Sequence, residues 1–232
     1  MFYYDWTYVL VLIGAVITMI ASSNVKSTYQ RFSKQRSMTN MTGAQVAERL
    51  LRNAGLYDVK VGQVIGELSD HYNPATKVVN LSDSVYGSTS VAAIGVAAHE
   101  CGHAIQHAKG YAPLKFRTWF VPVANFGSKL AWPLILIGLF LNSDSSWLII
   151  EAGIFLFSFA VIFQLVTLPV EFNASSRALA LLEEQGILSE QELPSTKKVL
   201  GAAALTYVAG AAASILQLLR IILLVGGRRR RD

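Results

Sequence analysis

Charged residues are scarce in this sequence, and cysteine is almost absent. Only 15% of the 232 residues are Asp, Glu, Lys or Arg, while 53% are hydrophobic. A soluble domain of this size usually has about 25% charged residues. The single cysteine, Cys101, excludes an intrachain disulfide and is compatible with a reducing compartment. Because the charge deficit falls in long apolar segments, the composition predicts an integral membrane protein.

Several kinds of functional site are missing as well. The sequence contains no glycine-rich phosphate loop, no Ser/His/Asp arrangement at a recognisable motif and no internal repeat. The net charge is +5, but the basic residues are clustered, and they are not combined with an aromatic stacking platform or a recognised nucleic-acid fold. We therefore expect no nucleic-acid partner. Basic clusters beside apolar segments instead indicate contact with the lipid bilayer.

One short motif stands out, His99-Glu100-Cys101-Gly102-His103, which has the form H-E-x-x-H. Ser88–Ser90 offer helix N-caps and no proline follows before the motif, so a helix is predicted here. Two histidines four residues apart lie on one helical face and can reach a single Zn²⁺ at about 2.0–2.1 Å each. Glu100 is placed to take the proton of a water molecule at the metal. The alternative is a core helix with two solvated histidines.

A third metal ligand is predicted from the expected path of the chain. The apolar runs Trp119–Leu141 and Trp147–Leu168 are each long enough to span a membrane, and only a short polar turn separates them. They should form an antiparallel hairpin that returns the chain to the side it left. Glu171 lies just after the second run. It would complete a His₂Glu site that leaves one coordination position of the metal open. The alternative is a glutamate at the membrane boundary that binds no metal.

Two further histidines are not expected to be ligands. His107 shares a helical stripe with the motif, but it lies about 12 Å along the axis from His99 at 1.5 Å per residue. His71 falls in Asp70–Pro74, which has turn composition. Short strands are predicted at Val59–Val61, Val64–Ile65 and Lys77–Leu81, and a helix over Gly43–Ala54 capped by Thr42 or Thr39.

A substrate-binding strand is also predicted near the motif helix. We expect Val78–Ser82 to form a sheet edge that pairs with an extended peptide, with Val78 and Asn80 in contact with it. An ordinary sheet strand without a substrate role is the alternative.

The flanks of the first apolar run predict the orientation of the chain. Tyr3–Ala21 begins with aromatic residues and carries Asp5 as its only early charge, which favours an uncleaved anchor over a signal peptide. Basic residues follow it and predict a cytoplasmic catalytic domain: Lys26, Arg31, Lys34 and Arg36. The last apolar run, Val199–Val225, conflicts with this rule, because a fourth span would place Arg228–Arg231 outside. Either it spans against the rule, or its start joins the catalytic domain and its remainder lies on the membrane surface.

With these motifs, the sequence resembles the bacterial membrane-bound neutral zinc metallopeptidases of the YugP type. More distantly it is similar to the HtpX-like and prenyl-protein-processing membrane proteases. The resemblance covers nearly the whole chain and includes, besides the N-terminal anchor and the basic end, Leu68–Pro74, His99–Gln106, Pro169–Phe172 and Ala202–Ala209.

The resemblance implies roles for particular residues. It implies His99, His103 and Glu171 as ligands of one Zn²⁺ per chain and Glu100 as the general base. The related pattern has an acidic residue four positions after the ligand glutamate, whereas this sequence has Ser175. Candidates to support the ligands are Asn173, Ser175 and Arg177, and candidates to contact the substrate oxyanion are Tyr207 and Arg177.

Together these inferences predict a mainly α integral membrane protein. Its gluzincin-like catalytic domain, built on the H-E-x-x-H zinc helix, would have a small β-sheet and be joined to three or four membrane helices. The expected segments are an anchor (1–22), a zinc-helix domain (23–118), a hairpin (119–168), a helix completing the site (169–198) and a hydrophobic helix with a basic tail (199–232). The predicted function is a multi-pass zinc endopeptidase of the bacterial cell membrane that cleaves peptides or membrane proteins.

Other functions are less consistent with the sequence. A non-enzymatic metal-binding scaffold or adaptor is the main alternative, although structural zinc sites are usually closed and cysteine-rich. An intramembrane protease of the site-2 class would need an Asp ligand within a span, and the apolar runs after the motif contain none. A zinc transporter would need ligands in mid-membrane. The sequence specifies neither the substrate nor the oligomeric state.

Overall fold

The structure, a computed structural model, describes residues 5–141 and 146–229, with side chains as far as Gly226. The aromatic cluster Phe2–Tyr4, most of the polar turn (142–145) and Arg230–Arg231 lie outside the described residues. The described part contains seven helices and three strands. These are α1 (Tyr8–Phe32), α2 (Gly43–Asn53), β1 (Lys60–Val64), β2 (His71–Asn73), β3 (Val78–Ser82), α3 (Asp83–Tyr86), α4 (Val91–Ala108), α5 (Ala112–Phe140), α6 (Ser146–Glu184) and α7 (Leu193–Arg229).

The chain divides into two compact units. One, which we call the sheet unit, comprises Ser22–Lys115 and Pro169–Leu205. The other, the apolar-helix unit, comprises Met1–Ala21, Phe116–Leu168 and Thr206–Asp232. Four helices, α1, α5, α6 and α7, are long and apolar enough to cross a membrane. The predicted fold class, a mainly helical membrane protein with a small sheet, is therefore confirmed.

The sheet unit is built around α2 and α4. The hydroxyl of Thr42 accepts from the backbone N–H of Gln45 and the Gln45 side chain accepts from the Thr42 N–H, which completes a capping box at the start of α2. Ser90 caps α4 through the N–H of Ala93. Buried aliphatic residues of both helices pack with Val79 and Leu81 of β3 in one core. The motif helix is thus fixed by packing along its length.

The sheet has the strand order β1-β3-β2, which corrects two predictions. β3 is parallel to β1 and antiparallel to β2, so Val78–Ser82 is the central strand and not an edge. Because the backbone of Val78–Asn80 is paired on both sides, it cannot pair with a peptide, and the substrate roles of Val78 and Asn80 lose their basis. The predicted turn Asp70–Pro74 is also wrong, since His71–Asn73 forms the edge strand β2.

In the apolar-helix unit, neighbouring helices run antiparallel and approach closely at small residues. Gly153 of α6 lies against Ala131 and Ile135 of α5, and Gly138 of α5 lies against Ser146 and Ile150 of α6. Gly14 of α1 contacts Ala213 of α7. Such small residues allow helix backbones to come together in a membrane.

A polar contact fixes the direction of α1 against α7. Arg220 of α7 pairs with Asp5, which precedes α1, at 3.3 Å, and its guanidinium lies over the ring of Tyr8. The start of α1 therefore meets the end of α7. Both α6 and α7 are longer than the predicted runs: α6 continues through Pro169 to Glu184, and α7 already begins at Leu193.

Candidate metal centre

Three side chains with metal-binding atoms converge in the sheet unit. The Nε2 atom of His99 lies 3.3 Å from Oε2 of Glu171, and the Nε2 atom of His103 lies 3.5 Å from the same oxygen. One ligand-type atom from each residue falls within 4.8 Å of the other two. The two histidines come from α4 and the glutamate from α6. Thus the structure brings together the three residues that the sequence singled out as ligands.

The spacing of these atoms fits a zinc ion. Ligands at about 2.0–2.2 Å from zinc in a tetrahedral arrangement are about 3.3–3.5 Å apart. The two nitrogen–oxygen separations at Glu171 agree with this distance. Two imidazole nitrogens and one carboxylate also form the donor set of catalytic sites that keep a fourth position open.

A close helix contact sets the distance between the two sides of the site. Gly102 of α4 packs on Ala174 of α6, where an added Cβ would lie 2.7 Å from the Ala174 carbonyl oxygen. Only a glycine allows this approach. The contact lies beside both His103 and Glu171 along their helices, so it holds the histidines and the glutamate within reach of one ion.

His103 is oriented by a chain of buried amides. Gln106, which is fully buried, donates from Nε2 to the carbonyl oxygen of Val170 and to Oδ1 of Asn173. Because that carbonyl can only accept, the amide oxygen of Gln106 must face His103 Nδ1, at 3.0 Å. Nδ1 of His103 therefore carries a proton, and Nε2 is turned towards Glu171. Nε of Arg177 donates to the same Asn173 oxygen at 2.7 Å, which fixes that amide as well.

His99 is contacted on its far side by a hydroxyl. Oγ of Ser175 lies 3.1 Å from Nδ1 of His99. This is the position where the related pattern has an acidic residue. Such contacts to the second ring nitrogen orient a metal-binding imidazole and raise its basicity.

The candidate general base lies against the edge of the sheet. Glu100 is only 7% exposed, and its Oε2 accepts a hydrogen bond of 2.9 Å from the backbone N–H of Tyr72 in β2. Tyr72 also reaches His107, whose Nδ1 lies 2.9 Å from the tyrosine hydroxyl. This contact places the edge strand directly beside the H-E-x-x-H helix. No sequence pattern indicates β2, because three residues are too few to show an alternating pattern.

Electrostatics favour a charged His103 in the absence of metal. Burial by itself lowers the pKa of His103, but the hydrogen bond to Glu171 and the charges of Glu100 and Glu171 outweigh it, so the pKa is raised. Cys101 behaves differently. Burial raises the pKa of its thiol, and Sγ points to the carbonyl oxygen of Ala47. The cysteine is therefore a packing residue and lies outside the ligand group.

Arg177, Tyr207 and His71, which the sequence analysis also considers, lie in different places. Arg177 lies over the ring of Tyr111 and bonds Asn173, so it borders the site through this amide. Tyr207 belongs to the other unit, and its role in substrate contact stays a prediction. His71 is exposed and bonds Ser69 and Asn80 rather than the ligand group.

Comparison with known proteins identifies the class of this fold and site. Residues 7–226 match the family described as "Putative neutral zinc metallopeptidase". The match covers most of the chain, which therefore belongs to this family. Among curated proteins, the chain is similar to "Putative membrane protease YugP" of Bacillus subtilis (strain 168), at 48% identity over 204 residues, covering 88% of this chain and 89% of that protein. No solved structure matches. The resemblance seen in the sequence is confirmed.

Proposed function

We propose that this protein is a zinc-dependent membrane endopeptidase. His99, His103 and Glu171 would hold one zinc ion per chain, and Glu100 would be the general base. The observation that carries the proposal is the convergence of His99 Nε2 and His103 Nε2 on Glu171 Oε2, at 3.3 and 3.5 Å, beside Glu100 on the same helix. Zinc bound there would lower the pKa of a water molecule and polarise the scissile carbonyl.

The chain's own residues perform the proton transfers. Glu100 takes a proton from the attacking water and delivers it to the departing amine. The N–H of Tyr72 holds Oε2 of Glu100, which leaves Oε1 of the same carboxylate to receive the proton. Ser175 and Gln106 hold the imidazoles so that their Nε2 atoms face the ligand position. Both residues act on the reaction through the metal ligands.

The location of the site limits its substrates. Four apolar helices and the family membership support a membrane protein. We infer that it is a multi-pass protein of the bacterial cell membrane with the site on the cytoplasmic side, because Lys26, Arg31, Lys34 and Arg36 follow the first apolar helix. Peptides or membrane proteins close to the bilayer surface are then the accessible substrates.

The test is to measure zinc content and cleavage of an unfolded protein such as casein with the detergent-purified chain. Wild type should contain about one zinc per chain and cleave the substrate. Glu100→Gln should keep the zinc and lose at least a hundredfold in activity, since general-base catalysis supplies about 10²–10⁴. Glu171→Ala should lose both. The exposed Glu48, on α2, provides a control with the same chemical change, and Glu48→Gln should match wild type.

Two results would contradict the proposal. Cleavage by Glu100→Gln at the wild-type rate would exclude this glutamate as the base. Zinc without cleavage of any unfolded substrate by wild type would favour the scaffold or adaptor.

A further inference from the structure

His107 has a specific partner although it is not expected to be a metal ligand. It lies one helical turn after His103 on α4 and is exposed. Its Nδ1 atom is 2.9 Å from the hydroxyl oxygen of Tyr72, and the centres of the two rings are 5.8 Å apart. Tyr72 belongs to β2, so this contact joins α4 to the edge strand of the sheet. Its effect therefore depends on what β2 does at the candidate metal centre.

The sheet by itself holds β2 at few points. The strand has three residues and pairs with β3 alone in the described part of the chain, where Tyr72 lies opposite Val79. In an antiparallel pair, alternate residues direct their N–H and C=O groups towards the partner strand, and the residues between them direct these groups away. The N–H of Tyr72 points away from β3 and donates to Oε2 of Glu100. The ladder hydrogen bonds therefore do not fix the position of this N–H.

Tyr72 contacts α4 at two points. Its backbone N–H donates to Glu100 and its hydroxyl meets His107. These two residues of α4 are about 10 Å apart along the axis at 1.5 Å per residue, so the tyrosine lies lengthwise along the helix. A strand attached at one point can pivot about it, whereas two points at this separation fix its direction along the helix. The contact with His107 supplies the second point.

The carboxylate of Glu100 depends on where β2 lies. A glutamate side chain is flexible, and a general base must be within hydrogen-bond reach of the proton that it takes. The N–H of Tyr72 holds one of the two carboxylate oxygens of a residue that is only 7% exposed. A displacement of about 1 Å at a catalytic group can reduce the rate about a hundredfold. A shift of β2 along α4 would move the N–H away from the carboxylate and leave Glu100 free to turn.

We propose that His107 is a positioning residue for Glu100 and that it acts through Tyr72. The imidazole holds the phenol, and the phenol fixes the direction of β2 along α4. The backbone N–H of β2 then orients the carboxylate. The inference rests on the proposed function, in which Glu100 is the general base, and it adds a residue that the predicted ligand set leaves without a role.

This role differs from support of the metal ligands. Gln106 contacts Nδ1 of His103. Ser175 contacts Nδ1 of His99. Both imidazoles are thus oriented without His107. Removal of the contact between His107 and β2 should therefore reduce kcat and leave the zinc content unchanged.

Two single variants and their combination test the role. His107→Leu and Tyr72→Phe each remove the contact, and each should lower kcat for labelled casein about 10–100-fold, with KM and zinc content at wild-type values. The double variant should lose no more than either single variant, because both substitutions remove the same contact. His107→Asn should retain a kcat close to that of wild type, since its Oδ1 takes the place of Nδ1. Tyr57→Phe, which removes the hydroxyl of an 81% exposed tyrosine, is the matched control.

Hydrogen exchange gives a second readout that needs no catalysis. In zinc-loaded protein, the backbone N–H of Tyr72 should exchange about two- to tenfold faster in His107→Leu than in wild type, as expected when one hydrogen bond is lost. Unchanged exchange, wild-type kcat in both single variants, additive losses in the double variant or loss of zinc would each overturn the inference. A wild-type chain that cleaves no substrate would contradict the proposed function instead, and the exchange rates would then decide the inference alone.

Discussion

Oγ of Ser175 and Nδ1 of His99 are 3.1 Å apart, across the contact between α6 and α4. The serine follows Glu171 by one helical turn, so one helix contributes both a candidate ligand and the support of another ligand. His103 is supported differently, through the amide of Gln106 on its own helix. The two imidazoles are therefore held by neutral groups, whereas the more distant protease pattern supplies an acidic residue.

Ser175→Ala should weaken zinc binding by about 10–100-fold, because loss of a partner at the second ring nitrogen has this effect in other zinc sites. Ser175→Asp should bind zinc at least as tightly as wild type, since a carboxylate makes a stronger hydrogen bond to the imidazole. Competition with a chromophoric chelator measures both affinities. Ser27→Ala, which removes a hydroxyl bonded within α1, is the control. Equal affinity of Ser175→Ala and wild type would exclude a supporting role for the serine.

As the pH falls, zinc affinity should begin to decline while the pH is still above 6.5. Zinc binds the neutral imidazole, and the pKa of His103 in the metal-free protein is raised above the ordinary value of 6.5. Protons therefore compete from that raised pKa downwards, at about tenfold in affinity per pH unit for one proton. The dissociation constant for zinc, measured from pH 5 to 9, should show this onset. His107→Gln should leave it in place, and an onset below 6.5 in wild type would refute the prediction.

The metal-free protein should become less stable as the pH rises, whereas zinc affinity increases over the same range. A histidine whose folded pKa is raised stabilises the fold fully below its unfolded pKa, and this stabilisation is lost as the pH rises through the folded pKa. The melting temperature of chelator-treated protein should thus fall as the pH rises from the ordinary histidine pKa of 6.5 through the raised pKa of His103. Thermal unfolding with and without zinc checks this, and zinc-loaded protein should not show the same decline. A melting temperature that stays constant or rises would contradict it.

Gly102→Ala should separate the two sides of the metal centre. The added methyl group would meet the Ala174 backbone at 2.7 Å, and overpacking of this kind costs about 1–3 kcal/mol. Lower melting temperature and weaker zinc binding are expected together. Gly201→Ala is the matched control, because nothing lies within 4 Å of an added Cβ in that helix. It should stabilise the protein by about 0.5–1 kcal/mol. Equal behaviour of the two variants would show that α4 and α6 are not held at Gly102.

The predicted orientation can be measured with single cysteines. Cys101 is buried, so it should give little background labelling by a membrane-impermeant maleimide. Met38→Cys, at an exposed site after α1, should react only after the cells are permeabilised. Trp6→Cys, before α1, should react in intact cells. The reverse pattern would place the metal centre outside the cytoplasm.

The three candidate metal ligands can be predicted from the sequence because two strong physical signals point to them. The spacing of His99 and His103 specifies one face of a helix. The apolar lengths before Glu171 predicted a hairpin, and the structure places that carboxylate 3.3 Å from His99. Its role as a ligand stays a prediction, but the proximity agrees with the path inferred for the chain.

The sheet shows where a local pattern stops being informative. The apolar pattern of Val78–Ser82 indicates a strand but does not specify which strands pair with it. The predicted edge position is therefore wrong, because β1 and β2 both pair with β3. β2 is held by long-range contacts: Tyr72 bonds Glu100, and the Asp70 carboxylate bonds Ser82. These are tertiary contacts, and the local sequence of a three-residue segment does not predict them.

Gln106 lies within the motif His99–Gln106 that carries the family resemblance, but the sequence does not predict it as a site residue. Its signal was available, because a glutamine among the apolar residues of a buried helix must have hydrogen-bond partners. What the sequence could not provide was the identity of those partners, Val170 and Asn173, which come from α6. Cross-helix pairs of this kind depend on the register of two helices, and that register is determined by contacts such as Gly102 with Ala174.

The unbroken course of α6 has a practical consequence. The helix extends from Ser146 to Glu184, so an apolar stretch long enough for a bilayer and Glu171 belong to one helix, with no loop between them. Pro169, two residues before Glu171, cannot donate to the Leu165 carbonyl, and helices commonly bend at such a position. Metal binding is therefore best measured in lipid as well as in detergent.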